Sequence, residues 1–253
     1  MIIKLAKIFA EYKIYPKKLL ERGGYPMGIF LTKHPNNYYS IDIRKKFIPF
    51  QNYNRIKRGA DLPWWGRKYF SKNRNKKEKR VMIIAQDSYS TDAGSVVFFS
   101  HLFDVIGDKK EYNEYVGKIE QNFGAGKFKY RKWLEIKDFI EQCKINRDYL
   151  YITDAKKVYD NSKKFNTKFS KELLEQEISF CNPYLLIILG TAGLKLLSPQ
   201  SKYSDVVESG QAININNVTT VVAPFPIGQG ETQKNFQHRL NTAISIIRSI
   251  LAA

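Results

Sequence analysis

Four stretches of this sequence place chemically capable residues directly after short apolar runs. Residues 81–85 (VMIIA) lead into Gln86-Asp87-Ser88-Tyr89, and residues 149–153 (YLYIT) lead into Asp154-Ala155. Residues 184–189 (YLLIIL) lead into Gly190-Thr191-Ala192-Gly193, and residues 218–222 (VTTVV) lead into Ala223-Pro224-Phe225-Pro226-Ile227. A carboxylate such as Asp87 just beyond a buried strand can orient water or stabilise a cationic transition state where bulk solvent is excluded. It can equally cap the turn that follows. Asp154 carries the same two readings, while Asp92, in a Ser-Thr-Asp-Ala-Gly loop, reads as a turn residue. Gly190 allows close backbone approach and can aim amides at an anion. Pro224-Phe225-Pro226-Ile227 is rigid and apolar, suited to a wedge or to a tight connection. His34, His101 and His238 are scattered without metal-ligand spacing and read as structural or exposed. No nucleophile elbow, P-loop or dinucleotide fingerprint occurs in a strand–turn–helix context.

The elements that must position these residues follow from hydrophobic pattern. The four apolar runs read as buried parallel strands, with residues 213–215 as a hairpin partner for the last. Helices are expected over residues 1–24, 95–104, 111–121, 133–145, 170–179 (capped by Ser170), 190–197 after a tight turn, and 233–251. Strands alternating with helices imply a three-layer α/β/α sandwich around a central four-stranded parallel sheet. Ligands of such sheets sit beyond the carboxyl ends of the strands, where the four stretches above fall. Residues 25–70 are irregular, with prolines at 26, 35, 49 and 63. Residues 71–80 read as an exposed charged loop.

The 253 residues carry 42 Lys and Arg against 24 Asp and Glu, a net charge of +18. Residues 1–80 hold 21 basic and 5 acidic side chains (21 − 5 = +16), and the remainder hold 21 and 19 (+2). Such asymmetry points to an anionic polymer or surface, with a nucleic acid, bound by releasing counterions from its phosphates, favoured over a membrane. Aromatics interleave with the basic residues (Tyr38, Tyr39, Phe47, Phe50, Tyr53, Trp64, Trp65, Tyr69, Phe70) and suit either stacking on bases or a core. No run of 18 apolar residues argues for a membrane span, and the lysine-broken start is not a secretory signal. Two cysteines, Cys143 and Cys181, exclude a disulfide scaffold and a four-cysteine zinc or iron–sulfur site carried by this chain alone. A single disulfide between them stays open, with two reduced thiols of a cytosolic protein the favoured reading.

Taken in order, the segments resemble the uracil-DNA glycosylase superfamily over residues 80–250. Residues 81–89 resemble its strand followed by G-Q-D-P-Y. Residues 97–100 resemble its C-F-S stretch, and residues 149–155 its strand ending in an Asn that reads the base. Residues 182–193 resemble P-x-x-I-x-x-L-G-x-x-A, and residues 223–227 the H-P-S-P-L loop. The resemblance implies that residues 81–253 form a glycosylase-like α/β domain. The basic residues 1–80 become an extension that wraps on or flanks it. It implies Asp87 as the catalytic residue and a base pocket of Gln86, Tyr89, Phe99 and Asp154. Pro224, Phe225, Pro226 and Ile227 become the DNA wedge loop. Gly190 and Thr191 become phosphate or backbone contacts; Arg67 and Lys68, outside the resemblance, are given the same role by the basic charge of residues 1–80. No metal or other cofactor is implied. The expected protein is a monomeric DNA repair glycosylase of the cytoplasm, nucleoid or nucleus, acting on single- or double-stranded DNA without a membrane partner. Departures stand at Ala85 for Gly, Ser88 for Pro, Asp154 for the base-reading Asn, Ala223 for the catalytic His and Phe225 for Ser. They leave open a catalytically weakened or inactive DNA-binding protein that retains the fold, and a hydrolase or binder of free nucleosides or other small molecules.

Overall fold

The computed structural model describes residues 63–71, 77–87, 134–158, 165–226 and 233–253, together with positions 4, 5, 8, 12, 100 and 110. The helices expected over 1–24, 95–104 and 111–121 lie outside these residues apart from isolated positions. The elements in chain order are β1 (Trp64–Trp65), β2 (Val81–Asp87), α1 (Leu134–Gln142), β3 (Leu150–Lys156) and α2 (Thr167–Cys181). They continue with β4 (Leu185–Leu189), α3 (Ala192–Leu197), α4 (Tyr203–Ser209), β5 (Ile213–Ile215), β6 (Val218–Ala223) and α5 (Gln233–Ala252).

The class is α/β, but the sheet is not the four-stranded parallel one expected. Among the described residues it has six strands in the order β1-β3-β2-β4-β6-β5 and is mixed. β2, β4 and β6 run parallel, with Val81–Ile84 opposite Leu185–Ile188 and Leu185–Leu189 opposite Thr219–Ala223. All five residues of β4 are buried, which is why this strand is a continuous apolar run without alternation. The two outer strands pair antiparallel. β5 joins β6 through Asn216-Asn217, whose φ values of 51° and 62° are those of a tight hairpin turn that Asn tolerates. β1 lies against β3, Trp64 opposite Ile152 and Trp65 opposite Tyr151. The charged extension expected to end at Arg80 therefore contributes a sheet strand from Pro63 onward.

The chain divides into two compact units. One comprises Pro63–Gln86, Lys132–Ala155 and Ile178–Ala253; the other comprises Met1–Leu62, Asp87–Arg131 and Lys156–Glu177. In the first unit, Trp65 stacks on Tyr151 at 6.2 Å between centroids, Tyr69 tilts against it at 5.6 Å, and Phe70 meets it edge-on at 6.2 Å. Trp64, Trp65 and Tyr69 are buried. These aromatics are core, and the reading that has them stacking on bases is corrected. Tyr38, Tyr39, Phe47, Phe50 and Tyr53 lie outside the described residues.

Several cations of the same unit serve helix ends. No basic residue stands in the last turn of α1, α2 or α5. Arg248 Nε donates to the Gln142 carbonyl at the end of α1 (2.6 Å), and Arg80 to the Asn182 carbonyl just past α2 (2.6 Å). Lys79 Nζ donates to Ile250 and Leu251 at the end of α5 (2.9 and 3.3 Å). Distant cations thus satisfy orphan carbonyls and oppose the negative ends of the helix dipoles.

α1 closes on a Schellman turn: the amide of Ile145 donates to Ile140 O and that of Lys144 to Glu141 O, with Lys144 at φ 56°. Cys143, fully buried here, has its thiol pushed up to about 12 by burial, against an ordinary 9.0; Arg248 partly opposes the shift. Because the buried form is the neutral thiol, its contribution to stability is fully present below about pH 9. It is lost as pH rises from there through 12, at about 1.4 kcal/mol per unit. Urea titrations repeated from about pH 7 to 11 are expected to show this loss in the wild type and a shallower one in Cys143→Ala.

In the second unit, α2 begins three residues before the expected cap. Asn166 is the capping residue, its Oδ1 accepting from the Phe169 amide at 3.0 Å. Ser170 lies inside the helix, and its Oγ accepts from the amides of Lys157 and Val158 (3.4 and 3.1 Å). Those amides continue past β3, where the ladder no longer satisfies them. Lys157 Nζ pairs with Glu177, both side chains having no solvent exposure.

Candidate functional site

The carboxyl ends of β2, β4 and β6 bring together three of the expected site residues. Parallel pairing runs from Ile84 opposite Ile188 and ends at Leu189 opposite Ala223. One step further, the Gly190 amide donates to the Ala223 carbonyl at 2.9 Å. This bond carries the chain past the end of β4 with Gly190 at φ 74°, a backbone state that glycine enters without strain. A β-carbon on Gly190 would lie 3.5 Å from Gln86 Oε1 and 3.9 Å from Phe225 Cβ. Gln86 and Phe225 therefore flank Gly190 directly. Gln86 is exposed, Phe225 half-buried, and Pro224 and Pro226 are buried.

α3 starts immediately beyond this point. It sits close on the sheet because Gly193 has no side chain; a β-carbon there would meet Ile188 Cγ2 at 2.9 Å and Ile84 Cγ2 at 3.1 Å. Thr191 stands at its N-cap position, half-buried, with no side-chain capping bond. At six residues α3 is a packing element, with Ala192, Gly193, Leu194, Leu196 and Leu197 all buried.

β2 and β3 both run further than expected. β2 includes Gln86 and Asp87, so Asp87 is the last strand residue and not the first of a turn; its side chain lies outside the described residues. β3 extends to Lys156, placing Asp154 within the strand and fully buried, between Thr153 and Ala155 that are buried likewise. Ala223 is fully buried at the end of β6. Ser88, Tyr89, Phe99 and Ile227 lie outside the described residues.

Arg67 and Lys68 follow β1 and are exposed. Lys68 Nζ pairs with Asp148 at 3.1 Å; that hydrogen bond and the carboxylate's charge hold the ammonium above its usual pKa. Its charge is paired with Asp148, whereas Arg67 has no ion pair among the described residues.

The sequence placed Gln86 in the base pocket without singling out its side chain. Its side chain is the polar group that the sheet presents beside Gly190. The signal was available: a polar residue following five apolar ones at a strand's carboxyl end, with a glycine at the same level on the neighbouring strand. Among the described residues, no group of three or more His, Cys, Asp or Glu could hold a metal ion, and no helix is long and apolar enough to cross a membrane. A comparison with models of known protein families finds none that matches this chain, and no curated protein matches it either.

Proposed function

We propose that this chain is a divergent member of the uracil-DNA glycosylase superfamily, a DNA repair enzyme that hydrolyses the N-glycosidic bond of uracil or another altered base turned out of DNA. The observation that supports this reading is the convergence of Gln86, Gly190 and Phe225 at the carboxyl ends of parallel strands. That is where α/β sheets bind ligands. The net charge of +18 supplies the attraction to phosphates.

In this mechanism the base leaves the stack before reaction, because its glycosidic bond cannot be reached within a duplex. Asp87 orients a water molecule against C1′ of the sugar and stabilises the cation that develops there. The glycosidic electron pair departs with the base, and water completes the hydrolysis by bonding to C1′ and losing a proton, which the departed base anion takes up. Tyr89 and Phe99 wall the pocket, Pro224 to Ile227 enter the vacated stack, and Arg67 with the first eighty residues holds backbone phosphates. The enzyme works as a monomer wherever the cell keeps its DNA.

Ala223 favours a second reading, a DNA-binding protein that keeps the fold and has lost the chemistry. It offers a methyl group where the family's leaving-base donor stands. Loss of one such donor costs about 10²–10³ in rate. Incubation with single-stranded and duplex oligonucleotides carrying uracil, hypoxanthine or cytosine, scored for abasic sites, separates the two. Wild type is expected to form abasic sites on at least one base, and Asp87→Asn to lower that rate by about 10²- to 10⁴-fold. Steeply salt-dependent binding with no abasic site on any substrate would establish the second reading. Weak, salt-insensitive binding would remove both.

A further inference from the structure

We infer that the Gln86 side chain, and not Asp154, reads the hydrogen-bonding edge of the bound base; the inference rests on the base-binding reading proposed above. Contact with a ligand requires surface. Asp154 has none: it is fully buried within β3, between two fully buried neighbours. Gln86 is exposed one residue before the end of β2.

The placement of the carboxamide is specific. Its Oε1 lies 3.5 Å from where a Gly190 β-carbon would be, and Phe225 Cβ lies 3.9 Å from the same point. The missing side chain of Gly190 is thus the space that the carboxamide lies over, with Phe225 alongside. A carboxamide can offer one acceptor and two donors to a ligand.

A planar carboxamide matches a planar edge that presents a donor beside an acceptor, as glutamine does bidentately with adenine. Uracil offers N3–H beside O4, and cytosine offers the N4 amine beside N3. An ionised carboxylate answers only the donor of each pair. The ligand class is therefore a base with an amide-like edge. The buried Asp154 carboxylate then need not touch the base.

The test compares two single-stranded oligonucleotides at fixed salt. One carries 2′-fluoro-deoxyuridine, whose fluorine suppresses hydrolysis, and the other a 2,4-difluorobenzene nucleotide of the same shape without strong donors or acceptors. Wild type is expected to prefer uracil by about 5- to 150-fold, the range of a good bidentate base contact. Gln86→Leu, of similar volume, is expected to remove the preference and to leave affinity for the difluorobenzene oligonucleotide unchanged, which also reports that the protein is folded. Gln86→Ala provides a second variant with the same expected loss. A preference that survives in both variants overturns the inference and returns base reading to a deeper residue. The abasic-site assay on wild type fails or succeeds separately. Abasic sites without any uracil preference would sink Gln86 as the reader and leave the enzyme. A Gln86-dependent preference without abasic sites would sink the chemistry and leave the reader.

Discussion

Glu177→Leu is expected to cost about 3–5 kcal/mol of stability, read as a lower urea midpoint at unchanged slope. The reason is electrostatic. Lys157 and Glu177 form an ion pair in which neither side chain reaches solvent. The interior solvates an ammonium poorly, and Glu177→Leu removes the buried opposite charge that this ion pair supplies. Lys157 cannot swing out to water without breaking local structure, because its own amide and that of Val158 are held by Ser170 Oγ. The double variant Lys157→Met/Glu177→Leu is expected to recover most of the loss, since a buried pair replaced by apolar groups of similar volume is often neutral or stabilising. A single variant with wild-type stability would show that the pair is open to water in solution.

Gly66→Ala is expected to destabilise the sheet-bearing unit by more than about 4 kcal/mol, placing it among the exceptional single substitutions. Gly66 follows β1 directly, and its amide donates to the Leu150 carbonyl at 2.8 Å. A methyl group there would stand 1.8 Å from the carbonyl oxygen of Arg147 and 2.5 Å from the carbonyl carbon of Asp148. Both are backbone atoms, so no side chain can turn aside. Relief requires β1 to move off β3, which opens the cluster of Trp65, Tyr69, Phe70 and Tyr151. Near-ultraviolet circular dichroism reads the packing of these rings directly and is expected to collapse. Arg67→Ala, one residue on and exposed, is expected to stay within about 0.5 kcal/mol of wild type. Equal behaviour of the two variants would mean that β1 is not docked as described.

These two sites also show where pattern reading stops. β2 and β4 were legible because a strand buried on both faces leaves an unbroken apolar run, and the β5–β6 hairpin because two apolar segments bracket adjacent asparagines. β1 was not, since two residues carry no period. Trp64 and Trp65 read equally as stacking platforms or as core, and only their antiparallel pairing with β3 decides for core. The start of α2 was misplaced for a related reason. Ser170 and Asn166 are both good capping residues, and the amides left over after β3 determine which of them is engaged elsewhere.

The candidate site divides in the same way. Residue types and their order along the chain placed Gln86, Asp87, Gly190 and Phe225 at strand ends, because an apolar run followed by polar or small residues marks where a buried strand emerges. The sequence by itself also determined the charge, the absence of a multi-cysteine cluster, and the α/β class. It could not determine which of these side chains meets solvent. Burial depends on what neighbouring strands and helices lay over a residue, and those neighbours are distant in sequence: Gln86 faces Gly190 and Phe225 across more than a hundred residues. Tertiary structure alone enclosed Asp154, committed Arg80 and Lys79 to helix ends, and left the Gln86 carboxamide exposed.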